Sequence, residues 1–171
     1  MIKMHAVYLG LGSNMGDRQQ NIEKAVALIG ERVGQVVRQS SLMETEPWGF
    51  ASENRFLNGV VLCQTELSPR EVLQTTQKIE RELGRKKRPL QLPQKGERSR
   101  SISRSPLSDG RGAGGEAVNY SDRPIDIDIL LYDDLHVDEP DLKIPHPLME
   151  QRDFVMIPLK EIWQHPKTSY N

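Results

Sequence analysis

Residues 123–134 read R-P-I-D-I-D-I-L-L-Y-D-D, and their apolar positions alternate. Ile125, Ile127, Ile129 and Leu131 share one face of a strand, and Asp126, Asp128, Leu130 and Tyr132 share the other. Two further segments predict strands. His5–Gly12 (HAVYLGLG) ends at glycines, and Phe56–Leu67 is apolar on both faces through Val60, Val61, Leu62 and Cys63, as in a central strand. Residues 36–46 are extended but weakly patterned. The period lengthens to that of a helix over Asp17–Arg32, where Ile22, Ala25, Val26 and Ile29 fall on one face and Asp17 sits at the positive end. Ser68-Pro69-Arg70-Glu71 starts a second helix, with Ser as N-cap, Pro in the first turn and Glu completing a capping box. Leu73, Thr76, Ile79 and Leu83 point inward from it, and Gly84 ends it.

The order β-α-β-β-α-β predicts an α+β fold, the ferredoxin-like plait, with one antiparallel-rich sheet and helices on one face. A hairpin around Asp133-Asp134 and a short helix near Phe154–Trp163 add to its C-terminal side. The whole chain, 1–171, reads as one domain carrying an insertion at about 89–118. That insertion is rich in Arg, Ser, Gly and Pro and too polar to bury its own core, so it is expected to be mobile. It reads as a mobile basic lid, as an RNA-contacting tract of Arg-Ser type, or as a solvated loop with no role.

Composition narrows the classes. The formal net charge is −1, which gives no general attraction to nucleic acid or anionic membrane. Cys63 is the single cysteine, so disulfides within the chain and zinc-finger sites are excluded. No stretch is long and apolar enough to span a membrane, and the chain enters a strand-like run at once, so a cytoplasmic protein is expected.

The aspartates pose the chemical question. Side chains at i and i+2 of a strand point the same way, so Asp126 and Asp128 repel each other unless a cation or water separates them. A divalent ion suits the pair, since magnesium takes one or two carboxylates together with water and phosphate oxygens; a solvated edge strand is the alternative. Arg123 just upstream is a cation suited to phosphate. Gln77 and Glu80 lie one helical turn apart and could read an adenine edge and a ribose hydroxyl, or simply face solvent. Asn58 is an amide in an apolar strand; it suits the edge of a heterocycle, or finds its partners within the core. Trp48, in TEPWGF, could stack on a flat ring or equally cap the core. Pro145 and Pro147 hold His146 in a rigid turn, with Arg152 close behind. GLGSNMG (10–16) lacks the glycine spacing of a dinucleotide loop, and no Walker A motif is present.

Taken together, YLGLGSNMGD, TEPWGF, FLNGVV, TTQKIERELGR, RPIDIDILLYDD, IPHPLMEQRDFV and PLKEI resemble the 6-hydroxymethyl-7,8-dihydropterin pyrophosphokinase family of folate biosynthesis. The resemblance spans most of the chain apart from 89–118. It implies transfer of pyrophosphate from ATP to the reduced pterin, releasing AMP. Asp126 and Asp128 would hold two Mg2+ ions, and Arg85 and Arg123 would steady the phosphates. Gln77, Glu80, His146 and Arg152 would contact ATP. Thr45, Trp48, Phe56, Asn58 and Phe154 would form the pterin slot. The family also implies a monomer whose partners are ATP and reduced hydroxymethylpterin, with neither nucleic acid nor membrane. Several features depart from the family pattern, among them Lys143, where a threonine or similar polar residue is usual, and a shorter tail after Trp163. Asn119-Tyr120-Ser121-Asp122 replaces a basic, Trp, Gly and small-residue lead-in. Phe56 replaces a phenol, and the loop before Asn119 is long. Two other readings are an RNA-binding plait protein, which requires exposed sheet aromatics, and a pterin-binding relative without catalysis.

Overall fold

The computed structural model describes residues 2–46, 55–84 and 124–163. Trp48, Arg85, Arg123, the lead-in 119–122 and the 89–118 segment lie outside the described residues. The elements in chain order are β1 (His5–Ser13), α1 (Arg18–Arg32), β2 (Gly34–Gln39), β3 (Met43–Thr45), β4 (Phe56–Thr65), α2 (Pro69–Glu82), β5 (Asp126–Tyr132), β6 (Val137–Glu139), β7 (Leu142–Ile144) and α3 (Asp153–Ile162). The five-stranded sheet runs β2-β4-β1-β5, with β3 paired to β4 beside β2. All its pairings are antiparallel. This is the strand order of the ferredoxin-like plait.

Local sequence accounts for both long helices. Asp17 caps α1 by accepting from Gln20 N at 3.0 Å. Ser68 and Glu71 form the reciprocal capping box of α2, at 3.2 and 2.8 Å, worth about 1 kcal/mol to the helix. The two helices bury Ile22, Ala25, Ile29, Val72 and Ile79 against Val7, Leu9, Leu11, Val61, Cys63 and Ile127 of the sheet. Each fully buried isoleucine contributes roughly 1.5–3 kcal/mol. Leu73 and Leu83 are only partly buried at this core; Val72 takes the central place.

The extended stretch after α1 is two strands with a break between them. Ser40 fills the break. Its N–H donates to Val60 O and its hydroxyl accepts from Val60 N, both at 2.9 Å, so the β4 ladder stays satisfied where the partner strand turns.

In three places the architecture departs from the expectation. First, α3 lies on the sheet face opposite α1 and α2. Its Val155, Leu159 and Ile162 pack on Tyr8, Val60, Leu62 and Leu130. Glu161 ties its end to the β2–β3 connection by accepting from Ser41 N at 3.0 Å and Ser41 Oγ at 2.6 Å. Second, the alternation in β5 does not run its full length. The register passes from Leu9↔Ile129 to Tyr8↔Leu131, leaving Leu130 as the extra residue of a β-bulge. Ile125, Ile127 and Ile129 face α1 and α2, but after the bulge Tyr132 joins them and Leu131 moves to the α3 side. Third, Asp133-Asp134 is a turn but not the tip of a hairpin, since β6 and β7 pair only with each other. Asp133, at φ 47°, accepts from Ala6 N at 2.8 Å and lies 2.6 Å from His5 Nδ1, fastening the end of β5 to the start of β1. Arg70 of α2 pairs with Asp141 at 2.6 Å and with Glu139, anchoring the β6–β7 ribbon.

Candidate active site

Helix α3 packs on Tyr8, Val60, Leu62 and Leu130, and the polar residues of the same sheet face lie in the adjoining rows. The register sets Asn58 opposite Gly12 and Gly12 opposite Asp126, and in the next row Val60 opposite Gly10 and Gly10 opposite Asp128. Asn58, Asp126 and Asp128 therefore share one surface, and between them lies bare backbone. A side chain there would intrude: a Cβ at Gly12 would stand 3.0 Å from Asn58 Oδ1 and 3.5 Å from Phe56 Cδ1. Glycine inside a strand commonly marks such a close approach. The sequence pattern GLGSNMG suggests a loop for these two glycines, whereas the structure places them at the centre of the row. Gly10 and Gly12 belong to β1 itself.

The amide is oriented from its far side. Asn58, which is buried, donates from Nδ2 to Thr45 Oγ1 at 2.7 Å, leaving Oδ1 turned over Gly12. Thr45 and Phe56 are partners in the β3–β4 pair, so both sit at one short hairpin end.

Asp126 and Asp128 are half-buried. Among the described residues no third His, Cys, Asp or Glu completes a metal cluster. A pair of hard oxygen ligands on an open face fits a cation whose other ligands are water and phosphate oxygens. The acids at 126/128 and 133/134 thus have different roles, because the second pair terminates a strand.

The β5 edge brings in the remaining residues. His146 N donates to Leu130 O at 2.9 Å, at the bulge. The ring's Nδ1 accepts from Leu148 N at 3.3 Å, which leaves the ring proton on Nε2. Burial holds the His146 pKa below its ordinary value; the Arg152 cation lowers it further and Asp126 opposes them. At neutral pH the ring is therefore an uncharged donor. Arg152 precedes α3, and its guanidinium carbon lies 5.6 Å from the centre of the Phe154 ring. His146, Arg152, Phe154 and Asp126 are thus gathered by the fold.

The helix α2 pair separates. Glu80 is 6% exposed and accepts a long bond, 3.4 Å, from Ile127 N on the outer edge of β5. Gln77 is exposed. The sequence placed both on one solvated or nucleotide-reading face, whereas Glu80 also secures the strand between the two aspartates. As for exposed sheet aromatics, Tyr8 is buried and stacked on Trp163 at 5.4 Å, and Phe56 is 9% exposed.

Comparison with known proteins matches the chain to one family. The family model described as 7,8-dihydro-6-hydroxymethylpterin-pyrophosphokinase (HPPK) matches residues 8–103 and 107–164. The chain is similar to the 2-amino-4-hydroxy-6-hydroxymethyldihydropteridine pyrophosphokinase of Porphyromonas gingivalis, 43% identical over 167 residues and covering 96% of each chain. It is also similar to the enzyme of that name from Bacillus subtilis, 35% identical over 158 residues, or 92% of this chain and 77% of the other. Among solved structures, an HPPK-DHPS protein of Plasmodium falciparum aligns with a TM-score of 0.63 over 96% of this chain. At 15% identity that likeness shows a shared fold, and this chain spans 43% of the bifunctional one.

Proposed function

The chain belongs to the 7,8-dihydro-6-hydroxymethylpterin-pyrophosphokinase family, and from that premise we propose that it transfers the pyrophosphoryl group of ATP to the hydroxymethyl oxygen of 6-hydroxymethyl-7,8-dihydropterin. The products are the pterin pyrophosphate and AMP. The observation that carries the reading is the row Asn58–Gly12–Asp126. It sets a group suited to a heterocycle's edge on the same bare backbone as a carboxylate suited to metal-bound phosphate.

Each residue then has a task. Thr45 and Asn58 orient the pterin edge-on, Phe56 and Phe154 bound its ring faces, and Trp48 adds a third ring. Asp126 and Asp128 would hold two magnesium ions; when bound, the metal offsets phosphate charge and lines up the attacking and departing oxygens. His146, neutral and donating from Nε2, hydrogen-bonds a phosphate or ribose oxygen of ATP. Arg152 adds a cation near it, and Arg85 and Arg123 would steady the phosphates, as the family resemblance implies. Gln77 and Glu80 contact the nucleoside from α2. The attack falls on the β-phosphorus, so the bond to the α-phosphate oxygen breaks and AMP departs. Such a reaction asks the protein mainly for positioning and charge neutralisation, and a nucleophilic side chain is not required. In this reading the protein is a cytoplasmic monomer with the single domain spanning 1–171. The described helices include none long and apolar enough to cross a membrane.

The test is product identity. ATP, magnesium and the reduced pterin, incubated with the protein and separated by chromatography, should yield AMP and a pterin pyrophosphate in equal amounts. ADP as the nucleotide product would overturn the assignment.

A further inference from the structure

Resting on the function proposed above, we infer that Arg18 is a positioning residue for the pterin side of the site, acting from the back of the sheet. Arg18 is the first residue of α1. Its Nη1 donates to Glu44 Oε1 at 2.8 Å and to the carbonyl oxygen of Arg55 at 2.9 Å. Glu44 is the middle residue of β3, next to Thr45, and Arg55 directly precedes Phe56. One guanidinium therefore grips both arms of the hairpin end that presents Thr45 and Phe56. Alternation along β3 turns Glu44 toward α1 while Thr45 faces the site.

Two observations make this more than an ordinary surface pair. The anchor is fixed: Asp17 caps the helix through Gln20 N at 3.0 Å, and Asn21 Nδ2 donates to Met15 O at 2.8 Å, closing the β1–α1 turn. What it holds is a short element. Strand β3 has three residues and, among the described residues, pairs only with β4, at the sheet's margin. A second rung, Arg55 Nε to Glu46 Oε1 at 3.2 Å, spans the same two arms. Displacement of β3 carries Thr45 with it, and Thr45 sets the amide of Asn58 through the 2.7 Å bond. The coupling thus runs from Arg18 through Glu44 and Thr45 to Asn58.

At the other end of α1, Arg32 pairs with Glu82 of α2 at 2.7 Å, with similar exposure. It has the same chemistry without a link to the site, and so supplies the control.

Arg18→Met keeps the apolar stem and removes the grip; Arg18→Lys keeps one charge without the planar fork. Binding of 6-hydroxymethyl-7,8-dihydropterin is measured by calorimetry in the presence of magnesium and a non-hydrolysable ATP analogue, alongside the analogue's own affinity. We expect Arg18→Met to weaken pterin binding about fivefold, the size one exposed ion pair and one charged hydrogen bond can carry. The nucleotide affinity should stay within about twofold, and Arg18→Lys should fall between Met and wild type. Glu44→Gln should weaken pterin binding too, and adding it to Arg18→Met should cost nothing further. Arg32→Met should leave both affinities unchanged. Wild-type pterin affinity in Arg18→Met, or an equal loss for both ligands, would overturn the inference. Failure of the wild type to bind the pterin would take down the functional reading itself, and this inference with it.

Discussion

Replacing Gly12 by alanine tests the bare backbone at the centre of the site. The new Cβ would stand 3.0 Å from Asn58 Oδ1, where ordinary contact begins at 3.4 Å, so one of them must move by a few tenths of an ångström. The amide is the part that can move, but its Nδ2 is already at 2.7 Å from Thr45 Oγ1. It must therefore rotate away from the orientation in which it faces the ligand. The fold should tolerate the change: a strand gains roughly 0.5–1 kcal/mol from Gly→Ala, which offsets the local crowding. Loss of one buried ligand hydrogen bond costs about 1–3 kcal/mol, or roughly a 5- to 150-fold weaker pterin complex. Gly34→Ala supplies the contrast, since its Cβ would fall 2.0 Å from the backbone oxygen of Gln64, which cannot step aside. Urea unfolding and pterin calorimetry on both variants separate the cases. Gly12→Ala should keep its unfolding midpoint and lose pterin affinity, while Gly34→Ala should lose several kcal/mol of stability. Wild-type pterin affinity in a folded Gly12→Ala protein would refute the glycine row as the floor of the site.

Two other perturbations address the residues around the aspartates. Glu80→Ala removes the acceptor for the Ile127 N–H, so unfolding free energy should drop by about 1–3 kcal/mol, with Glu80→Gln recovering most of it; equal midpoints for all three proteins would show that the carboxylate does not hold the strand. His146 has a folded pKa below its ordinary value of 6.5, chiefly through burial, so below that pH the unfolded chain takes up the proton first. Its contribution is then fully present above pH 6.5 and is lost as pH falls toward the folded pKa. Urea midpoints at pH 7.5 and 5.5 should therefore differ less in His146→Gln than in the wild type, and identical differences would contradict the assignment.

Much of the plait was legible because its signals are local. The capping box at Ser68 and Glu71, the doubly apolar run of β4 and the helical stripe of α1 each follow from a few neighbouring residues. The bulge at Leu130 was not legible, because it is a property of the pairing with β1: the run Leu130-Leu131-Tyr132 is apolar at every position, so its pattern cannot show where the register shifts. For the same reason the sequence mistook which of Leu131 and Tyr132 joins the isoleucines. The burial of Glu80 depends on the outer edge of β5 lying under α2, and helix periodicity alone cannot show this. Of the candidate site, the residue types carrying charge or an amide could be named from sequence, and the motif resemblance grouped them. The glycines could not, since a residue without a side chain has a role only when its cross-strand neighbours are known. Arg18 escaped for a similar reason: its partners, Glu44 and Arg55, are distant in sequence and on the reverse face.

The measurement that bears most directly on the whole account is AMP formation by Asp126→Ala and Asp128→Ala with ATP, magnesium and reduced pterin. Each variant should lose at least about a thousandfold in turnover, the several kcal/mol that metal-assisted charge neutralisation supplies. Each should also unfold at the wild-type temperature or slightly above it, because removing one of two adjacent like charges relieves repulsion on the strand. A folded variant of either kind that forms AMP at the wild-type rate would contradict the carboxylate pair as the metal and nucleotide clamp.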